Sequence, residues 1–288
     1  MIASLLLLAV APAAAGDNHG VSLLAMDDFS GVSTTVGTSD DYVADGYKQV
    51  VRELGVSLAA SPTAPAETLG VNGFAVLLGS GMAFIHTGTV DGAHPAGWDL
   101  AEADETPPLF LYIPTVEVQK GLPASLELDA RFGWVGGTDT GLVGLRGRWG
   151  VVEGFRQLPD LALDLGYTAY LGNDELELGV MNMGATLGYT LPFGVTQGIH
   201  QAQFSPFVGI GVERIHAAPR IDLTDTGLEG RLDEVSGYAS SEVFDKQFAP
   251  LTLDGGFRIV NGDYAATIAV AYSPRVLATI HAGIGFVY

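Results

Sequence analysis

The chain has 288 residues, of which 48% are apolar and only 16% charged, with 39 glycines and a formal net charge of −20. Average soluble proteins carry roughly 25% charged residues and about 7% glycine, so a purely water-facing surface does not account for this composition. No segment of the mature chain approaches the ~20 continuous apolar residues of a membrane-spanning helix, and the acidic balance excludes a basic face for DNA or RNA.

Met1 to Ala15 hold an apolar run, Ile2 to Val10, followed by Ala13-Ala14-Ala15, the small-residue pattern that signal peptidase cuts. A cleavable signal peptide over 1–15 is expected, with a short buried N-terminal helix as the alternative. Residues 16–38 are polar and lack a sustained period, so a flexible tail is expected there. From Asp40 to Ala60, Val43, Tyr47, Val50, Val51, Leu54 and Leu58 recur at spacings of three and four, which predicts one amphipathic helix. Pro62 and Pro65 end it, because proline donates no backbone bond and biases its predecessor away from helix. Residues 39–68 form this helix and its Pro-rich linker.

Over 69–288 the period changes to two. In Leu126–Trp134, Leu126, Leu128, Ala130, Phe132 and Trp134 share one face while Glu127, Asp129, Arg131 and Gly133 share the other. Leu161, Leu163, Leu165 and Tyr167 likewise oppose Asp164, Gly166 and Thr168, and Tyr264, Ala266, Ile268, Val270 and Tyr272 oppose small residues. A soluble β-sandwich with its oily face inward and a membrane barrel with that face outward both accept such a pattern. Segment length favours the barrel, since several runs reach the ~9–11 residues that a membrane strand needs. So do the mid-strand charges Glu127, Asp129, Arg131, Arg146, Arg148, Asp164, Asp254 and Arg258, which suit a wet interior. Trp134, Trp149, Tyr170, Tyr189 and Tyr272, near segment ends, are candidates for interfacial aromatic girdles.

The final strand closes with Ile280, Ala282, Ile284, Phe286 and Tyr288 at every second position, ending on an aromatic residue. This resembles the C-terminal assembly signal of bacterial outer-membrane β-barrel proteins, with Tyr in place of the commoner Phe. The resemblance implies an all-β, antiparallel up-and-down transmembrane barrel in the cell outer membrane of a Gram-negative-type bacterium, recognised by the barrel-assembly machinery and sitting among outer-membrane lipid and lipopolysaccharide. With the C-terminus in the periplasm, Lys120–Pro123, Pro192–Gln201 and Asn261–Asp263 become periplasmic links. Gly92–Pro108, Gly136–Gly141, Gly172–Asp174, Ala217–Asp245 and Ser273–Arg275 become external ones. Val71–Val90 keeps its parity through Gly79-Ser80-Gly81 and counts as one strand, giving about ten, within a range of 8–12. The amphipathic helix is expected on the periplasmic side or against the barrel mouth.

No catalytic, cofactor or metal motif is expected. Gly209-Ile210-Gly211 and Gly283-Ile284-Gly285 sit inside strands, where close packing explains them better than phosphate binding. The six histidines lack metal-ligand spacing. His281 faces the lumen and could be imagined beside Asp254 or Asp164 as an acid/base pair. Pairing of Arg131, Arg146 and Arg148 with Glu127, Asp129 and Asp164 would fill a narrow barrel; a charged pore lining is the alternative. These features point to an envelope-structural or small-solute channel role, non-enzymatic. The alternatives are a barrel-embedded hydrolase of lipids or peptides and a secreted β-sandwich adhesin.

Overall fold

The computed structural model describes residues 21–29, 42–59, 65–90, 94–102, 107–154, 158–193, 202–224, 226–229, 232, 235–236 and 248–288. The signal-peptide reading of 1–15 lies outside them. Among the described residues ten strands form the barrel: β1 Phe74–Phe84, β2 Phe110–Leu122, β3 Leu126–Trp134, β4 Gly141–Val152, β5 Asp160–Leu171, β6 Leu176–Gly188, β7 Ala202–Pro219, β8 Leu251–Asn261, β9 Tyr264–Ser273 and β10 Leu277–Val287. Each pairs antiparallel with the next in sequence. β10 pairs with β1, from Ala75 opposite Val287 to Phe84 opposite Ala278, and this pairing closes the sheet. Closure removes the unpaired edges that an open sheet would present. β1 runs unbroken through Gly79-Ser80-Gly81, as its parity predicts.

The strands alternate because successive side chains leave opposite faces of the sheet. Here the apolar set points away from the barrel axis: Leu78, Leu145, Leu165, Val208 and Ile268 are all about half exposed or more, while Asp129, Arg148 and Thr168 are buried. A 12-residue strand at ~3.3 Å per residue, tilted by ~40°, covers about 28 Å of height, which matches the apolar thickness of a bilayer. Aromatic rings rim the belt at both ends. Phe84, Phe110, Trp134 and Tyr272 lie at one mouth, and Phe74, Trp149, Tyr189, Tyr264 and Phe286 at the other, with Tyr264 and Phe286 packed at 4.7 Å between centroids. Tyr170 is a correction to the expected girdle. Its side chain is 6% exposed and joins the interior core, because it shares parity with Asp164 and Thr168, not with Leu165 and Tyr167.

The two mouths differ. One, the turn mouth, carries the short links 123–125 and 262–263 and both ends of the barrel; the other, the loop mouth, carries the long connections 85–109 and 220–250. Ala124 and Ser125 at the first turn and Gly262 at the second adopt positive φ, which tight reversals require. A helix, α1 (Tyr42–Leu58), and a short one, α2 (Gly97–Ala101), lie at the loop mouth. Residues 21–29 of the expected tail are part of the fold: Val21, Leu23 and Met26 are buried beside α1, and Leu24–Phe29 form a 3-10 turn. Burial of three apolar side chains offsets ordering entropy that a purely polar segment could not.

Candidate functional site

The interior of the barrel is the region where side chains of unlike chemistry converge, and it has two layers. The layer toward the loop mouth is apolar. Val43, Tyr47, Val50, Val51 and Leu54 of α1 pack with Ile85, Trp98 and Leu100 of the β1–β2 connection and with Leu111, Leu142, Leu178, Val180 and Ile215 of the wall. From Glu53 to Leu58 every residue of α1 is buried, whereas Tyr42–Arg52 alternate between buried and partly exposed positions. One-sided burial is what an amphipathic helix on a surface shows; burial all round means that the C-terminal end of α1 is inside the barrel. The expected placement against a mouth therefore describes only the N-terminal part of α1, and its last turns reach into the lumen. Gly55 permits the insertion, since a Cβ there would lie 2.7 Å from Ile215 Cδ1 of the wall.

Glu53 anchors this helix. Its carboxylate, 1% exposed, accepts hydrogen bonds from Gln49 Nε2 (3.0 Å), His86 N (3.0 Å) and Trp98 Nε1 (2.9 Å), and lies 2.9 Å from His86 Nδ1. A buried carboxylate is tolerable when donors surround it, and these donors come from α1 and from the connection folded over it. Sequence periodicity placed Glu53 beside the apolar stripe and gave no sign of its role, because two of its partners are more than thirty residues away.

The layer toward the turn mouth is charged. Arg146 bonds Asp129 through Nε (2.7 Å) and Glu117 through Nη2 (3.0 Å), while Arg148 bonds Asp164 through Nε (2.9 Å) and Glu127 through Nη1 (3.3 Å). The cross-strand register explains these pairs: Asp129 stands opposite Arg146 and Glu127 opposite Arg148 on β3 and β4, and Arg148 stands opposite Asp164 on β5. Directly opposed residues of opposite charge on one sheet face are within side-chain reach. Glu117, on β2 opposite Arg131, is a member that strand-by-strand reading missed. β2 also carries Thr115 and Gln119 on that face, so its polar signal is diluted by neutral residues.

Arg131 departs from the expected triad. Its Nη2 donates to the carbonyl of Leu58, the last residue of α1, and lies 3.5 Å from Thr168 Oγ1. It therefore satisfies a helix C-terminus, where carbonyls lack intrahelical donors. Residues 65–69 also lie against the charged layer: Arg148 Nη1 donates to Pro65 O (3.2 Å), Leu69 N to Glu127 Oε2 (3.0 Å) and Thr68 Oγ1 to Glu153 (2.9 Å).

The charged layer includes the buried carboxylates of Glu117, Glu127, Asp129, Asp164, Glu213 and Asp254 and the guanidinium groups of Arg131, Arg146, Arg148 and Arg258. Small gaps remain between these side chains. One, partly open, is lined by Ser57, Thr115, Glu117, Arg131, Thr267 and His281. Another is lined by Asp164, Asn182, Thr186, Glu213, Thr252 and Asp254. His281 thus lines a different gap from Asp164 and Asp254, and its Nε2 lies 3.0 Å from Thr279 Oγ1. The geometry does not assemble the acid/base pair that could be imagined from sequence. Among the described residues no group of three or more His, Cys, Asp or Glu side chains is placed to hold a metal ion.

No family description matches the chain, and no curated protein does. Solved barrels are similar to it at low identity. The N-terminal β-barrel domain of Pseudomonas aeruginosa OprF is 10% identical, covering 76% of this chain and 99% of that one at a TM-score of 0.30. The KdgM porin is 6% identical, covering 74% and 98% at 0.31. The Acinetobacter baumannii outer membrane protein Omp33 is 8% identical, covering 75% and 98% at 0.27.

Proposed function

We propose that the protein is a non-enzymatic outer-membrane barrel with an envelope-structural role, exported by a cleavable signal peptide and closed to all but slow passage of small solutes. The observation that carries this reading is the double filling of the lumen, by α1 toward the loop mouth and by the Arg146 and Arg148 ion pairs toward the turn mouth. A lipid-facing belt supports the membrane assignment. The outward side chains of Ala282, Ile284, Phe286 and Tyr288 support engagement by the barrel-assembly machinery. Outer-membrane lipid and lipopolysaccharide are then the belt's surroundings.

Planar-bilayer conductance tests the reading. Two obstructions in series keep current low until both are gone, so the intact protein should conduct poorly. Replacing Arg131, Arg146 and Arg148 with serine should change little while α1 remains. Removing residues 42–58 as well should open a path that prefers cations, because the carboxylates are then uncompensated. A large, steady conductance in the unmodified protein would show instead a solute channel.

A further inference from the structure

The direction in which the chain crosses the lumen has a topological consequence. Tyr42, at the start of α1, stacks on His94 of the β1–β2 connection, with ring centroids 5.1 Å apart and planes 9° from parallel. Leu58, at its end, meets Arg131 inside the barrel. Pro65, Thr68 and Leu69 come next, bonded to Arg148, Glu153 and Glu127. Phe74 then opens β1 at the turn mouth, its N and O bonded to Tyr288 O (2.8 Å) and Tyr288 N (2.7 Å). Residues 42–59 therefore enter the barrel from the loop mouth, and residues 65–74 lead from its interior to the turn mouth.

Residues upstream of α1 are tied to the loop mouth independently. Glu175, in the β5–β6 link, accepts from Ser22 Oγ (3.1 Å), Leu23 N (2.5 Å) and Leu24 N (2.9 Å). Asn173 Nδ2 of the same link donates to Val21 O (2.8 Å), and Ser22 N donates to Ala101 O (3.3 Å) at the end of α2. Short turns of bacterial membrane barrels face the periplasm and long loops face outward. On the outer-membrane reading proposed above, the turn mouth with both barrel ends is periplasmic. We infer that the protein holds residues 21–29, upstream of α1, at the outer mouth of its own barrel, so that they stand on the cell surface. The stretch of chain in the lumen then serves as the tether that anchors this segment there.

The native chain has no cysteine, so single cysteines report topology without background. Leu24→Cys marks the upstream segment, at a half-exposed side chain; Pro274→Cys marks the loop mouth and Asp263→Cys the turn mouth, both exposed. Each full-length variant is produced in a Gram-negative host, checked for folding by its heat-modifiable migration, and treated with a membrane-impermeant maleimide. Cysteines at 24 and 274 should react on intact cells, and the cysteine at 263 only after lysis. Reaction at 274 but not at 24 on intact cells would overturn the surface placement while leaving the barrel's orientation standing. Protection of 274 with reaction at 263 would overturn the orientation and the inference with it, as would protection of all three until lysis. An epitope inserted between residues 20 and 21, probed by antibody on intact cells, repeats the test without altering Leu24; surface staining is expected, and staining only after permeabilisation overturns the inference.

Discussion

Arg146 and Arg131 lie on adjacent strands and point the same way, yet their removal should have unequal effects. Arg146 neutralises Asp129 and Glu117, both buried. Arg146→Met deprives both of their guanidinium partner, leaving Asp129 without it and Glu117 with the bond from Gln119 Nε2 (2.7 Å), and should destabilise by about 3–5 kcal/mol. Arg131 gives one bond to the Leu58 carbonyl and a long one to Thr168, so Arg131→Met should cost nearer ~1–2 kcal/mol. Urea titration of the protein refolded in lipid vesicles measures both, and equal losses would mean that the ion pairs contribute no more than a single helix-end contact. On the other face of the same sheet, Leu128 is 43% exposed to the belt. Leu128→Arg should cost about 2–4 kcal/mol if that position lies near the bilayer midplane; a loss below ~0.5 kcal/mol in the same titration would place it at the interface.

At the scale of elements, β10 and α1 each depend on close backbone approach. β10 is bonded on both sides, to β9 and to β1, with Phe286 opposite Tyr264 on one and Val76 on the other. Deleting Phe286–Tyr288 removes the last closing contacts at the turn mouth, including the Phe74–Tyr288 bonds. The truncated chain should be exported and fail to appear in the outer membrane as a heat-modifiable band; its appearance there would refute a targeting role for these residues. α1 depends on Gly55, because any larger side chain meets Ile215. Gly55→Leu should displace the helix from the wall without opening the sheet, since no strand pairing involves it. The expected signature is faster proteolysis within 42–58 with retained heat-modifiability, and unchanged proteolysis would mean that the helix can shift to accommodate the side chain.

For the molecule as a whole, alternation gave the faces of the strands, because a two-residue period is a local property, while the barrel and a count of about ten within 8–12 drew also on the resemblance of the closing strand to an outer-membrane assembly signal. The parity of Val71–Val90 gave one strand where glycines suggested two, and the same parity rule, applied along β5, places Tyr170 inside. The partners of the interior were not legible. Register brings Glu117 opposite Arg131 and Arg148 opposite Asp164, but no residue near Glu117 in sequence announces it, and Arg131 turns to a helix end that the sequence placed elsewhere. The position of α1 was hidden for the same reason: an apolar stripe reports that one face of a helix is covered, and says nothing of what covers it. Covalent order and hydrophobic period are carried by the chain from residue to residue. Which charges meet, and which surface the helix enters, depends on curling ten strands until the first and last are hydrogen-bonded, and only that closure creates the enclosed volume in which those choices are made.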